Sequence, residues 1–232
     1  MKNLFGSTAA AFGTLAIACS VSMAPALAQR NAGFKAPAPG TVFAYRSSIQ
    51  MKLKKGKVLR FTGQTNMTVL SDRSPYQGVP VYRLKTETRL KRQGGKERVS
   101  VVTSIRRMQD GNEIAVLNAA GKLTRVKHPH SGTYAWPMSV GKSWRSTVES
   151  RRPDSQTGIK TTIRHRVEAF ERVTVPGGTF SAFRIVSRAE KNANGATTWF
   201  VPALGVMAKS TTVVFIFGRV ESTMVLTGVT RP

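Results

Sequence analysis

Glu171-Arg172-Val173-Thr174-Val175-Pro176-Gly177-Gly178-Thr179-Phe180-Ser181-Ala182-Phe183-Arg184-Ile185-Val186 carries the plainest structural signal in the chain. A β-rich run enters it, Pro-Gly-Gly reverses it, and a second β-rich run leaves. Pro176 fixes φ for entry into a turn, while Gly177 and Gly178 accept the positive φ of a tight reversal. Upstream, Ile159, Thr161, Ile163, His165, Val167 and Ala169 alternate with Lys160, Thr162, Arg164, Arg166 and Glu168. That is the period of a half-buried strand. The stretch reads as a long hairpin with one face committed to a core.

The same pattern extends in both directions. Residues 42–53 and 58–70 flank the turn Lys54-Lys55-Gly56-Lys57, and residues 71–80, with Asp72, Pro75, Gly78 and Pro80, form a loop. From Val81 to Lys91, Tyr82, Leu84, Thr86, Thr88 and Leu90 share one face, with Arg83, Lys85, Glu87, Arg89 and Lys91 opposite. In the next run Val99, Val101, Thr103 and Ile105 alternate and read as the packed face. Residues 114–118 pair with 123–128, and the irregular stretch HPHSGTYAWPMSVGKSW (128–144) separates two sets of strands. After the opening hairpin, Asn194-Gly195 marks a further turn. Strands over 197–201, 206–217 and 220–229 complete the chain. Val213-Val214-Phe215-Ile216-Phe217 is apolar on both faces and is expected to be covered on both sides, as a central core strand is. The count is eleven or twelve strands with little helix and no fixed-period repeat. The expected fold is all-β: a single strongly curved antiparallel sheet, half-barrel or sandwich-like, over residues 41–230. An extended Ala/Pro-rich leader over 29–40 precedes it.

The N-terminus has a charged start at Lys2, an apolar run from Leu4 to Val21, and Ala26-Leu27-Ala28. This describes a secretory signal peptide over residues 1–28, leaving a mature chain with no transmembrane segment. A retained anchor is one alternative; a lipoprotein signal ending at Cys19 is the other. The expected location is periplasmic, with outer-membrane association if Cys19 is lipidated. Cys19 is the only cysteine, so cleavage after Ala28 leaves no disulfide, thiolate metal site or thiol nucleophile. Lys and Arg total 36 against 11 Asp and Glu, for a net charge of +25. Such a field favours anionic partners, a lipid head group or an acidic envelope polymer. Nucleic acid is disfavoured, because the cations are spread over most strands and no RNA-binding sheet motif is present.

Catalytic chemistry has little to work with. His128-Pro129-His130 lacks a nearby carboxylate or cysteine to complete a metal site. His165 falls on the apolar face of its strand and reads as a hydrogen-bonded core histidine. Asp72, Asp110 and Asp154 sit in turns. No nucleophile elbow, phosphate-binding loop, HExxH or dinucleotide fingerprint is present. No catalytic residue, metal or cofactor is assigned.

The segment ERVTVPGGTFSAFRIV, preceded by VGKSW and followed by TTWFVPALGVMAKS, resembles a family of exported bacterial β proteins. These are grouped as TapB-like with the LolA/LolB-like half-barrels, and the match covers about Val140 to Ser210. GTVFAYRSS, starting at Gly40, resembles the start of such domains. The resemblance implies a curved antiparallel sheet whose concave side holds apolar groups, as LolA and LolB hold lipoprotein acyl chains. The expected function is a non-enzymatic periplasmic or envelope binding protein for a lipid or other amphiphile. Phe61, Tyr82, Trp136, Trp144, Phe180, Trp199 and Phe215 would supply apolar contacts, and Arg83, Lys85, Arg89, Arg164 and Arg166 a basic rim. The alternative is a structural or adhesive module that binds anionic envelope polymer through its basic surface.

Overall fold

The computed structural model describes residues 33–53, 56–216 and 218–232. The signal peptide expected over 1–28 with Cys19, the first part of the leader, Lys54-Lys55 and Phe217 lie outside the described residues. Twelve strands follow one another in an antiparallel meander. They are β1 (Val42–Leu53), β2 (Val58–Val69), β3 (Val81–Arg92), β4 (Glu97–Arg107), β5 (Glu113–Asn118) and β6 (Leu123–His128). Then come β7 (Ser143–Arg151), β8 (Ile159–Val175), β9 (Gly178–Ala189), β10 (Gly195–Val201), β11 (Val206–Phe215) and β12 (Gly218–Thr230).

Each strand pairs with its neighbours in sequence, and β1 also pairs with β12 along its whole length, from Val42 opposite Thr230 to Leu53 opposite Gly218. The sheet is therefore a closed barrel. This corrects the half-barrel or sandwich-like expectation, and the physical reason lies in the two terminal strands. At 12 and 13 residues they are long enough to satisfy each other completely, and closure removes the unpaired edges that an open sheet would leave.

The β8–β9 hairpin turns through Pro176-Gly177 alone, with Val175 opposite Gly178. Gly178 has φ +129°, but Gly177 serves another need. A Cβ there would stand 3.0 Å from Gly228 N and 3.1 Å from Leu226 O, and Gly177 N donates to Leu226 O at 3.0 Å. The hairpin tip is laid against β12 so closely that any side chain at Gly177 would press on the β12 backbone.

The core is not distributed evenly along the barrel. At the end where odd-numbered strands begin, Phe43, Tyr45, Val69, Tyr82, Leu84, Val206 and Leu226 form one buried cluster. Phe183, Ile185, Phe200, Val167 and Met138 form a second beside it. Two irregular segments cap this end. Phe34, from the leader, lies 5.8 Å from Trp136 and 6.1 Å from Tyr82. Tyr134 and Trp136, from residues 129–142, lie 4.7 and 5.6 Å from Phe200. Buried Asn112 ties this cap down: Nδ2 donates to Tyr134 O at 2.8 Å, and Oδ1 accepts from Tyr134 N and Ser131 Oγ. Every polar group of that side chain is thereby satisfied.

A third cluster, Val81, Ile105, Ile114 and Ala115, lies on the outside of β3–β5, where Tyr76 packs over it. It explains a second correction. The row Val99, Val101, Thr103, Ile105 faces outward; Ile105 is buried by this external cover, whereas Val99 is 53% exposed. The lumenal face of β4 is Arg98, Ser100, Val102, Ser104 and Arg106, opposite Leu90, Thr88, Thr86, Leu84 and Tyr82. A third correction concerns residues 213–216. Phe215 and Ile216 are 47% and 68% exposed, because β11 runs out at the uncapped rim. The outer face of β3 is charged along its length, in Arg83, Lys85, Glu87, Arg89 and Lys91, where a transmembrane barrel presents an apolar band.

Candidate functional site

The end opposite the cap is open. Here β1 and β2, β3 and β4, β5 and β6, β7 and β8, β9 and β10, and β11 and β12 are joined by hairpin turns. Inside their ring is a cavity of about 710 Å³ with walls of Ile49, Met51, Leu59, Phe61, Leu90 and Val220. Arg92, Lys96 and Arg98 line its mouth. Arg92 is the next lumen-facing position of β3 after Leu90, and Arg98 stands directly opposite Leu90 on β4. The volume lies within the roughly 300–1,000 Å³ typical of small-molecule sites.

Deeper in the barrel, the wall changes character. A chamber of about 370 Å³ shares Ile49, Thr88 and Leu90 with the mouth but is ringed by the hydroxyls of Ser47, Thr65, Thr86, Ser210, Thr212 and Ser222. Ser47 Oγ lies 3.2 Å from Thr65 Oγ1, which lies 3.2 Å from Thr88 Oγ1, a chain across β1, β2 and β3. Met67, Met207 and Met224 line it too. Below stands Tyr45, fully buried, its hydroxyl donating to Met207 O at 2.9 Å. Burial pushes the Tyr45 phenol well above its ordinary pKa, so it remains neutral. The lumen thus runs from cationic mouth to apolar wall to hydroxyl belt to sealed floor.

Two other polar groupings lie inside the fold. Glu113 accepts from Ser104 Oγ at 2.7 Å and meets Lys127 Nζ at 2.6 Å and Arg106 at 3.8 Å. Burial acts to raise its pKa, but Arg106 and Lys127 outweigh it and hold the carboxyl below its usual value. His165 is buried, stacked on Trp144 at 4.9 Å, with Nε2 2.9 Å from Ser146 Oγ and Nδ1 2.8 Å from Ser187 Oγ. Burial lowers its pKa to about 4, so the ring is neutral near pH 7. No carboxylate is among its hydrogen-bond partners in the described residues. His130 Nδ1 accepts from Gly132 N at 3.0 Å. No group of three or more His, Cys, Asp or Glu suited to a metal occurs among the described residues.

The residues singled out in the sequence are scattered by the fold. Phe61 lines the mouth cavity. Tyr82 lies in the core beneath the cap, Trp136 belongs to the cap itself, and Phe180 packs on the adjoining core. Trp144 is held under residues 129–134 by its Nε1 donation to Gly132 O at 3.0 Å. Trp199 is outside the lumen, donating to Glu171 at 2.7 Å with Lys209 4.9 Å from its ring. Phe215 is at the open rim.

The five cations are on the outer wall. Arg83 pairs with Asp72 at 3.2 Å, Arg89 with Glu87 at 2.7 Å and Arg164 with Glu190 at 2.7 Å; Lys85 and Arg166 are exposed. The mouth cations Arg92, Lys96 and Arg98 were not among them. Arg92 could have been found by carrying the even-numbered face of β3 one step further, to the residue after Lys91. Arg98 could not, because its face was assigned to the outside.

No family model and no curated protein matches the chain. Among solved structures it is similar to a "putative exported protein with YmcC-like fold" from Bacteroides fragilis, at 12% identity and a TM-score of 0.43, covering 87% of this chain and all of that one.

Proposed function

We propose that this chain is a non-enzymatic envelope protein that binds an amphiphile with an anionic head. The alkyl part occupies the lumen against Phe61, Leu59, Met51 and Leu90, and the head meets Arg92, Lys96 and Arg98. The observation that carries the reading is the cavity of about 710 Å³, apolar in its walls and cationic at its mouth. Apolar burial drives such binding at about 0.8 kcal/mol per methylene, and the mouth charges fix which end remains outside. The resemblance of residues 140–210 to LolA/LolB-like proteins points to the same use of a concave apolar face. The placement in the envelope follows from the signal peptide read in residues 1–28.

The test is calorimetric titration with decyl, dodecyl and tetradecyl phosphate below their micellar concentrations. Stoichiometric binding is expected, with affinity rising about fourfold per methylene. Phe61→Arg should abolish it. Absence of binding, or affinity indifferent to chain length, would overturn the reading.

A second reading, a module that binds anionic polymer through the outer wall, is favoured by one observation. Arg145, Arg164 and Arg188 stand side by side on β7, β8 and β9, with only Glu190 bridging the first two. Like charges directly opposite one another are unfavourable, so this row is an anion-seeking feature. Salt-sensitive binding to dextran sulfate, lost in Arg164→Gln with dodecyl phosphate binding intact, would support it.

A further inference from the structure

The open rim combines apolar exposure with charge. Ile159 is 75% exposed, Ile216 68%, Val99 53% and Phe215 47%. All four lie at the uncapped end: Ile159 opens β8, Phe215 ends β11, Ile216 is in the turn to β12, and Val99 is the third residue of β4. None of these side chains is part of the barrel's own core; one alone would need no explanation, but four gathered on one rim among cations make an apolar surface of the kind that marks an interaction site. Interleaved with them are cations. Lys57, Lys96, Lys122, Arg152 and Lys191 occupy five of the six rim turns, and Arg219 flanks the sixth.

We infer that this rim is a membrane-docking face, and that its partner is a bilayer surface bearing anionic lipid head groups. A protein held at an interface needs apolar side chains to enter the head-group boundary and cations to attract the surface charge, and the rim offers both in one ring. A second copy of the chain docked mouth to mouth would bring two rings of like charge together. An anionic bilayer neutralises the ring instead. The geometry also joins the two functions: Lys96 belongs to both the rim turn and the cavity mouth, so an amphiphile could pass from bilayer to lumen without crossing water. For its purpose this inference rests on the lumenal reading above, but it is measured separately from it.

The experiment is sedimentation of the mature chain with vesicles of phosphatidylglycerol and phosphatidylcholine in equal parts, beside vesicles of phosphatidylcholine alone. Binding is expected to the first and to be weaker by roughly tenfold for the second. The double variant Ile159→Asp/Ile216→Asp should lower binding to the anionic vesicles by at least about tenfold. Both side chains are exposed, so the fold should persist, which a thermal melt verifies. Val140→Asp is the control: Val140 is 53% exposed, but in the cap at the closed end, and its change should leave vesicle binding intact. Dodecyl phosphate titration should be unchanged in both variants, so failure of docking and failure of lumenal binding register in different measurements. Docking is overturned if the wild type ignores anionic vesicles or if Val140→Asp weakens binding as much as the rim variant does. Vesicle binding that survives the rim variant and is displaced by dextran sulfate would assign the cations to a polymer and overturn it too. So would a dimer in solution that the rim variant dissociates.

Discussion

The two ends of this barrel are made by the same twelve strands and differ in almost everything else. At the closed end Phe43, Tyr45, Tyr82 and Phe200 are buried against one another under Phe34 and Trp136. Six residues along β1 from Phe43, Ile49 faces a cavity, and Met51 follows it. Along β1 the pairing with β2 and β12 continues from one end to the other, so on these strands the difference does not come from the backbone. It comes from two irregular segments, 33–41 and 129–142, which supply side chains to one end and not to the other. Side-chain packing therefore concentrates stability at the cap, while backbone pairing alone maintains the mouth. A cavity remains where packing has been left incomplete.

The strongest way to break this comparison is to truncate an aromatic at each end. Phe200→Ala removes a fully buried ring that meets Phe34, Tyr134 and Trp136, and should cost about 3–5 kcal/mol in urea unfolding. Phe61→Ala enlarges a space already open to solvent, and should cost about 1 kcal/mol or less because little buried contact is lost. Equal losses would show that the mouth is packed as tightly as the cap.

A second measurement uses pH to probe the interior between the two ends. His165 falls from an ordinary 6.5 to about 4 on burial. Below pH 6.5 the unfolded chain takes up a proton that the folded chain refuses, so this contribution to stability is complete above pH 6.5. It declines as pH drops toward 4, by on the order of 3 kcal/mol. Melting temperatures at pH 7, 5.5 and 4.5 should fall faster for wild type than for His165→Gln, which has no ring to protonate. Parallel slopes would mean that the ring is hydrated and not held dry between Ser146 and Ser187. Glu113, with its pKa lowered by Arg106 and Lys127, adds a loss in the same direction at lower pH, common to both proteins.

What could be read from the sequence follows the range over which each signal acts. Turn chemistry is local, so Pro176-Gly177 and Asn194-Gly195 identified their hairpins, and strand positions followed closely. The lumenal face of β3 was legible because from Tyr82 to Lys91 every charged residue falls on the other face. On β4 the same rule pointed to the wrong face. Its outer row ends in Ile105, which a loop from residues 71–80 covers, and its inner row carries Arg98 at the wet mouth and Arg106 beside Glu113. Periodicity reports that two faces differ, and it identifies the inside only where the inside is dry. Closure was illegible for a different reason: β1 and β12 meet across the whole length of the chain, and no local residue records that pairing. The mouth cations were hidden by abundance, since with 36 Lys and Arg a basic outer wall and a basic mouth look alike in sequence.

The smallest expected change in stability sharpens the comparison most. Arg98→Gln alters an exposed side chain at the mouth and should shift unfolding by no more than about 0.5 kcal/mol. Its effect belongs in binding. Loss of one cation beside the head group should weaken dodecyl phosphate about fivefold to tenfold at low salt, a difference that shrinks as salt screens the mouth. Affinity for uncharged dodecanol should stay the same, because the alkyl wall of Ile49, Phe61 and Leu90 is untouched. Arg83→Gln, an outer-wall change, should move neither affinity, since Arg83 is paired to Asp72 on the far side of the sheet. If Arg83→Gln and Arg98→Gln weaken dodecyl phosphate equally, the head group is responding to net charge and not to the mouth. If only Arg98→Gln does so, the open end differs from the closed end in function as well as in packing.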